Sequence, residues 1–538
     1  MDEYMKLVRK VAQSSTQVTL YSDMDENQNL YDLAPFVMTD FSGKAIPRVT
    51  NVTLPAIATF GDRVINITGG VLPLINIKSK TMLDDAKDKA KYFLYGAFDS
   101  ANSARAKRGL PSFNAKLAEY GALKRVIALR VIVKADGDKT AFDLMPMDPR
   151  NMVYRMGKNG PLFVAYRTVR DAESIFDEYG KIIKKDEGTI WEYWDDNVHR
   201  IYFSADTSTG AYDGELISGE ENVLGYIPAV IIPLERTIFH NCKQTYLQMC
   251  RTASILKSQS MDTLFGPKEF HTPGGAESPE EIPGTGDFVT VGVDPNEGWK
   301  NIPLNDVYQA TAFMWQIETS EFQRASYAFI EYGGLEFPMS SLALSELKEG
   351  RDEILFPLIN GMGLCYRETC DMLIKQFKAG PYVAVLGQDD HIMEYQSPDL
   401  PEPGKDCHIT FSFRATNAME QGAMYQMAMA AEPYLPRKMI LEDILKVDNA
   451  ERILSDMLMQ EAENSFPELK IPKMIEAFEK AGKEHEAALL KQILEGAGQE
   501  EENQGPPQPV QQQAERVMPP PQANPKPAMV TAPAPTGG

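Results

Sequence analysis

Between positions 306 and 329 the chain carries a helix-forming segment with apolar residues on two faces. One stripe runs Val307, Ala310, Met314, Ile317; a second runs Tyr308, Ala312, Trp315, Phe322, Phe329. Gln309, Gln316, Ser320 and Gln323 fill the face that remains. A helix laid on one core needs one apolar stripe. Two stripes call for neighbours on two sides and water on the third. Two environments satisfy that demand: the interior of a large monomer, or a place between identical neighbours in an assembly. Both stay open on these residues alone.

The surroundings of this segment narrow the architecture. Asp306 follows Pro303-Leu304-Asn305 and is placed to cap the helix. Upstream, Thr237 to Leu264 predicts another helix, with Tyr246, Met249, Ala253 and Leu256 on one stripe and Gly266-Pro267 ending it. The Gly/Pro-rich stretch between the two helices holds one strand-like run, Asp287–Val293. Downstream, Glu331 to Ser341 is broken by Gly333-Gly334 and Pro338. A long helix is then expected from Leu342 to Phe377. Pro357 lies inside it, with Gly361 and Gly363 beyond, so a kink is expected.

The first ~235 residues read as α/β. Lys80 to Phe98 has helical spacing (Met82, Ala86, Ala90, Phe93, Ala97), and Leu123–Val133 and Ile227–Leu234 read as buried strands. Met152–Met156 and Leu162–Arg167 flank Asn159-Gly160 as one hairpin; Thr189–Trp194 and Val198–Ser204 flank Asp195-Asp196-Asn197 as another. Asp171–Tyr179 reads as a short helix closed by Gly180. After Gly380-Pro381, Tyr382–Leu386 and His408–Phe413 read as strands. A Met- and Ala-rich helix runs from Asn417 to Glu432, and helices follow at Leu441–Lys446, Ala450–Ala462 and Pro472–Leu494. From Gly496 the Gln-, Pro- and Ala-rich end has too little apolar surface to offset ordering entropy, and disorder is expected.

At 538 residues the chain exceeds one core, and about three or four units are expected. Its apolar fraction, 43%, supplies cores for most of that length. No run of about 18 apolar residues is present, so no membrane span is expected. Met1-Asp2-Glu3-Tyr4 does not open a secretory signal. Five cysteines form no paired framework, which fits a reducing cytoplasm. Asn51-Val52-Thr53 and Asn66-Ile67-Thr68 are then chance sequons. The net charge of −22 admits two readings: a solvated surface, or a surface that stays near DNA without gripping it.

No pattern of catalysis stands out. The chain has no phosphate loop, nucleophile elbow or His-Glu-x-x-His pair. Gly284-Thr285-Gly286 lacks the third glycine of a dinucleotide loop. Asp23, Asp25 and Asn27 begin like a calcium loop, but Gln28 and Ala34 stand where glycine and glutamate are needed. Cys407-His408 has no partner at zinc spacing, and Cys365 and Cys370 point different ways on a helix. His199, His240, His271, His391 and His485 are scattered. No catalytic residue, metal or cofactor is expected.

The order of elements resembles that of the portal proteins of tailed bacteriophages, and among them the connectors of short-tailed phages. Tyr226-Ile227-Pro228 and the apolar run to Leu234 resemble the strand leading into the first stem helix. Gly286-Asp287-Phe288-Val289-Thr290 resembles a clip strand. Ser340-Ser341-Leu342-Ala343-Leu344 to Glu349 resembles the start of the helix after the tunnel loop. Leu435-Pro436-Arg437 ahead of Leu441-Glu442-Asp443-Ile444-Leu445 resembles a portal C-terminal pattern. The likeness spans Lys80 to Glu463. It departs at Glu235-Arg236-Thr237-Ile238, where that family carries Gly-x-Ser, and the first ~80 residues match nothing in it.

The resemblance implies an α+β portal fold divided into wing (1–236), stem helix (237–264), clip (265–305), stem helix (306–330), tunnel loop (331–341), wing (342–435), helical crown (436–495) and tail (496–538). It implies a homo-oligomeric ring, a dodecamer in the virion, at one capsid vertex and assembled in the host cytoplasm. The implied partners are the major capsid protein, scaffolding protein, the large terminase subunit, tail adaptor proteins and the double-stranded DNA passing through. Gly333, Gly334, Leu335, Phe337 and Met339 would shape the channel loop. Tyr308, Met314, Trp315 and Phe322 would lie at subunit interfaces, and Phe288 and Val289 would meet motor and adaptors. Lys348 and Arg351 would face DNA, or else pair with Glu349 and Asp352 as surface charges. Two other classes stay in view: another head–tail protein, such as an adaptor or minor head protein, which would lack the stem–clip–stem insertion, and an enzyme whose site assembles only in three dimensions.

Overall fold

The computed structural model describes residues 2–47, 49–70, 73–79, 81–137, 139–158, 160–208, 211–265, 268–271, 298–301, 308–327, 341–387, 392–413, 418–445, 450–465, 475 and 491. The fold is α+β, in two units, Met1–Ala423 and Met424–Gly538. The expected strand Asp287–Val293, the loop 331–340, the helix Pro472–Leu494 apart from Ile475 and Lys491, and the tail from Gly496 lie outside the described residues.

Three helices open the chain: α1 (Glu3–Ala12), α2 (Ser15–Tyr31) and α3 (Ala56–Gly70). Asp2 and Ser14 cap the first two, their side chains accepting from the N–H groups of Glu3 and Gln17. Strand β1 (Pro73–Lys78), α4 (Asp84–Lys107) and α5 (Phe113–Lys124) follow. The expected helix at Lys80–Phe98 is α4. It starts later, because Leu83 is extended, and runs on to Lys107.

The expected strand at Leu123 begins instead at Val126 as β2 (Val126–Asp136), and Leu123 closes α5. Arg125 between them is left-handed, φ 62°. Its Nε donates to the Leu234 carbonyl (2.8 Å), and its own carbonyl accepts from Leu234 N–H (2.8 Å). Tertiary bonds therefore hold a conformation usually left to glycine.

The strands β3 (Lys139–Pro146), β4 (Met152–Met156), β5 (Pro161–Asp171), β6 (Glu187–Trp194), β7 (Val198–Ser204), β8 (Glu215–Glu221) and β9 (Ala229–Pro233) build two antiparallel sheets, in the orders β3-β2-β9 and β4-β5-β6-β7-β8. Both expected hairpins are present, with Val164 opposite Tyr154 and Trp194 opposite His199. Between β5 and β6, α6 (Ala172–Tyr179) is capped by Asp171 and closed by Gly180 at φ 65°, as its sequence predicts.

Helix α7 (Lys243–Phe265) starts six residues after the expected Thr237. Residues 237–242 are turns, tied by His240 N–H to the Thr237 carbonyl, with Phe239 buried beneath. The antiparallel pair β10 (Lys268–His271) and β11 (Gly298–Asn301) brackets the following segment. Helix α8 (Tyr308–Ala325) and the 39-residue α9 (Ser341–Ala379) come next. Helix α9 is continuous through Pro357, and at about 1.5 Å per residue it is about 58 Å long.

Strands β12 (Val383–Leu386) and β13 (Met393–Gln396) pair with each other, and β14 (His408–Phe413) pairs with β1, joining the two ends of the first unit. Tyr382 stays outside β12; its hydroxyl donates to the Val133 carbonyl (3.0 Å). The C-terminal elements are α10 (Ala418–Ala431), the single turn α11 (Arg437–Met439), a π-helical turn at Ile440–Ile444, where an ordinary helix was expected from Leu441, and α12 (Ala450–Ser465).

The main core lies where the second half of α9 meets α5, β2 and β9. Leu355, Leu358, Met362, Tyr366, Ile374 and Phe377 are buried there. A Cβ at Gly361 would sit 2.5 Å from Leu234 Cδ2, and one at Gly121 would sit 2.6 Å from Leu358 Cδ1. Both glycines are therefore sites of close approach. Gln376, buried in the same region, accepts from Val133 N–H and donates to the Val131 carbonyl, each at 2.8 Å. Replacing Gly361 with leucine should lower the unfolding free energy by at least about 1–3 kcal/mol, the usual cost of overpacking, measured by urea denaturation. An unchanged midpoint would contradict the close packing.

A charged group links the two large sheets. Arg130 on β2 donates to Glu192 on β6 (2.6 Å) and Asp143 on β3 (3.0 Å). His199, 3.3 Å from Glu192, stacks on Trp194 at 3.6 Å. Burial alone would raise the Glu192 carboxyl, but Arg130 and His199 outweigh it and hold it at about 2. Its usual value is 4.5, so the stabilisation is complete above about 4.5 and is lost as pH falls towards about 2. The variant Glu192→Gln should flatten that stretch of the stability–pH curve, read by denaturant titration at each pH. A curve of unchanged slope would refute the assignment.

Candidate functional site

The helices α7 and α8 lie against each other and run antiparallel. Tyr246 meets Phe322 (ring centroids 6.5 Å apart), and Thr252 Oγ1 donates to Glu318 Oε1 (3.1 Å), so rising numbers on one match falling numbers on the other. Their sequences explain the pairing. Tyr246, Met249 and Cys250 are buried on α7, and Phe322 is buried on α8 with Trp315 packed against the same core. Glu318 is buried between them, and its Oε2 has no partner among the described residues. A sealed carboxylate oxygen of this kind weakens the seam that its Thr252 bond supports.

The two stripes on α8 have separate fates. Of the second stripe, the described Phe322 and Trp315 are satisfied within the chain: Phe322 is 6% exposed, and Trp315 is half-buried. This corrects the expectation that Phe322 lies on a subunit face, since α7 already covers it. The first stripe is bare. Met314 is 48% exposed and Ile317 41%. Phe313, absent from both stripes as read from the sequence, joins them at 63%. With Ala310, also exposed, these positions follow the i, i+3, i+4, i+7 spacing of one helix face. The sequence did carry that spacing; Phe313 was missed because the neighbouring stripe is equally apolar.

A second feature had no sequence signal. Residues 50–54 run antiparallel along α7: Thr50 N–H donates to Ser258 Oγ and Val52 N–H to Ser254 Oγ (2.9 Å each), and Tyr246 donates to the Leu54 carbonyl (2.7 Å). Residues 36–38 lie on this arm through Phe36 N–H to Thr53 and Met38 N–H to Asn51. A tight hairpin then projects, with Thr39 bridged to Ala45. Asp40 Oδ1 organises it, accepting from Ser42 N–H, Ser42 Oγ and Lys44 N–H.

The other expected site residues are placed as follows. Lys348 and Arg351 fall on α9, their side chains outside the described residues, as is that of Tyr308 at the start of α8. Gly333, Gly334, Leu335, Phe337, Met339, Phe288 and Val289 lie outside the described residues.

Clefts of about 350 and 530 Å³ border the turn 235–241. Cations there are engaged: Lys124 with Asp148 (2.8 Å) and Lys243 with Glu26 (2.7 Å). Among the described residues no group of three His, Cys, Asp or Glu side chains is placed to hold a metal, and no helix is long and apolar enough to cross a membrane. The five cysteines are buried and unpaired, and burial pushes the Cys242 and Cys365 thiols up to about 12.

The two faces of α8 should respond differently to substitution. Phe322→Ala removes a core aromatic and should cost about 3–5 kcal/mol of unfolding free energy in dilute protein. Ile317→Ser, on the bare face, should change it by less than about 0.5 kcal/mol. Equal losses at both positions would contradict this division of faces.

No protein-family model matches the chain, and no curated protein matches it. Solved structures do. A chain of the virion of a native gene transfer agent particle is 9% identical, with 78% of this chain and 92% of that one covered at a TM-score of 0.38. A chain in the neck of the empty particle, computed with C6 symmetry, is 9% identical over 72% of this chain and 90% of that one, with a TM-score of 0.39. A chain in the neck of the native particle, computed with C12 symmetry, is 10% identical over 78% and 93%, with a TM-score of 0.39.

Proposed function

We propose that this chain is a structural protein of a phage-like head–tail junction and, more specifically, the ring-forming portal protein. The observation that carries the reading is the order of the described elements. An α/β region leads into α7, an insertion bracketed by β10–β11, the antiparallel α8, the long proline-containing α9, further strands and a helical C-terminus. This is the order that the motifs around Tyr226, Ser340 and Leu435 imply.

In this reading α7 and α8 are the stem, and the bare stripe of α8 meets the next subunit. Copies of the chain, twelve in the virion, enclose a channel at one capsid vertex. The ring nucleates shell assembly with the scaffolding and major capsid proteins. The segment 265–305, with Phe288 and Val289, first receives the terminase motor and later the tail adaptors. In this reading Gly333, Gly334, Leu335, Phe337 and Met339 belong to the channel loop that meets the duplex.

The charge suits passage. Each retained phosphate contact adds a counterion-release term, and many together would hold the DNA fast. In a chain of net charge −22, an acidic channel wall with a few basic residues, Lys348 and Arg351 among them, would leave the duplex free to slide.

Negative-stain images and the native mass of the purified chain test the proposal. Rings with a central opening of at least about 20 Å, wide enough for duplex DNA, are expected. A monomer or compact dimer that persists at high concentration would overturn it in favour of an adaptor or minor head protein.

A further inference from the structure

The hairpin between Thr39 and Ala45 ends in a side chain that no described residue of its own chain covers. Phe41 is 109% exposed, and Val37 at the base of the hairpin is 49% exposed. A rigid turn holds them out: the three bonds to Asp40 Oδ1 are joined by Gly43 at φ 80° and by Ile46 N–H to the Met38 carbonyl (3.0 Å). Phe41 and Val37 together put exposed apolar surface on one ordered turn.

The partner can be identified from where the hairpin sits. Its arm bonds Ser254 and Ser258 of α7, whereas Thr252 of α7 faces α8. At about 100° per residue, Ser254 is roughly 160° round the helix from Thr252. The hairpin and α8 therefore lie on opposite flanks of α7. On α8, the bare stripe is in turn rotated by roughly 120° from Phe322, which faces α7. The order across the molecule is hairpin, α7, α8, bare stripe, with an apolar knob on one flank and an apolar strip on the other.

The two also share a level along the stem. Thr252 matches Glu318, so Ser258, six residues on, lies level with the Ala310–Met314 part of α8. The tip projects from that end of the arm. Lys44 is exposed on the same turn as Phe41, and Glu321, one turn beyond Ile317, is exposed and paired with Arg324 (2.8 Å). Within a chain the two helices separate knob from strip by roughly two interaxial distances, about 16–20 Å, so neither satisfies the other. Different patches that match head to tail generate a ring when the rotation closes.

We infer that the 39–45 hairpin docks on a second copy of this chain, seating Phe41 on the neighbour's Phe313, Met314 and Ile317. The inference rests on the ring reading and adds the element that links one subunit to the next at the level of the stem. One aromatic covers about 150–250 Å², whereas a stable interface needs about 1,200 Å² or more, so the knob specifies and reinforces a larger contact and does not hold a dimer by itself.

The test is the full-length chain with Phe41→Cys and Met314→Cys, oxidised mildly after assembly. All five native thiols are buried, which keeps the background low. A disulfide needs Cα atoms within about 7 Å, so the pair cannot bridge within one chain. The expected result is a non-reducing gel ladder that climbs by single subunits to the ring number, and is absent from either single variant. Rings by native mass with no ladder would overturn the docking and leave the ring standing. An unmodified chain that stays monomeric would sink both. Phe41→Ser provides an independent readout: folded by circular dichroism, it should need at least about tenfold more protein to assemble, and an unshifted assembly curve would also overturn the inference.

Discussion

Gly361 of α9 passes so close to Leu234 that one added methyl would meet it at 2.5 Å, and Gly121 of α5 meets Leu358 of α9 in the same way. These two approaches set how deeply α9 sits on the sheet β3-β2-β9. The depth brings Leu358, Met362 and Phe377 into the core and lets Tyr366 donate to Asn114 of α5 at 2.5 Å. Arg125 is bent at the same point by Leu234, which fixes where α5 gives way to β2. The α7–α8 pair is built on this base through Phe239, Tyr246 and Phe322, all members of the main core. The arm 50–54 lies along α7. The bare stripe and the knob are thus outward consequences of a glycine-lined contact deep in the first unit.

Much of this was legible in the sequence wherever local chemistry and tertiary demand agree. Asp171 and Gly180 delimit α6 because a cap and a left-handed glycine are local signals. The strands β6 and β7 follow from alternation around Asp195, whose carboxylate accepts from the Asn197 and Val198 N–H groups. Other boundaries were hidden. The break at Arg125 carries no glycine, since long-range bonds hold its backbone. The turn 237–242 reads as helix by composition, yet in the structure it is a run of turns over the buried Phe239.

The site was half legible for a related reason. Two apolar stripes on α8 announced two partners, but a stripe does not say which partner is which. The buried part of the second stripe belongs to α7, and the first, with Phe313, is exposed in the chain. The hairpin at Asp40 was invisible because its meaning lies in Ser254 and Ser258, more than 200 residues away.

Gln376 has a mechanical consequence. Its amide bonds both Val131 and Val133, taking up the ladder positions of β2 beyond the end of β9. Turning α9 about its own axis would break both bonds together, so its C-terminal half is keyed to the sheet like a shaft in a slot. Pro357 removes one backbone bond about five turns earlier, between that keyed half and the half that begins at Ser341. A sideways load on the N-terminal end would therefore bend the helix first at Pro357, where one backbone bond is missing. The long helix acts as a cantilever, clamped at the sheet and compliant at one known residue.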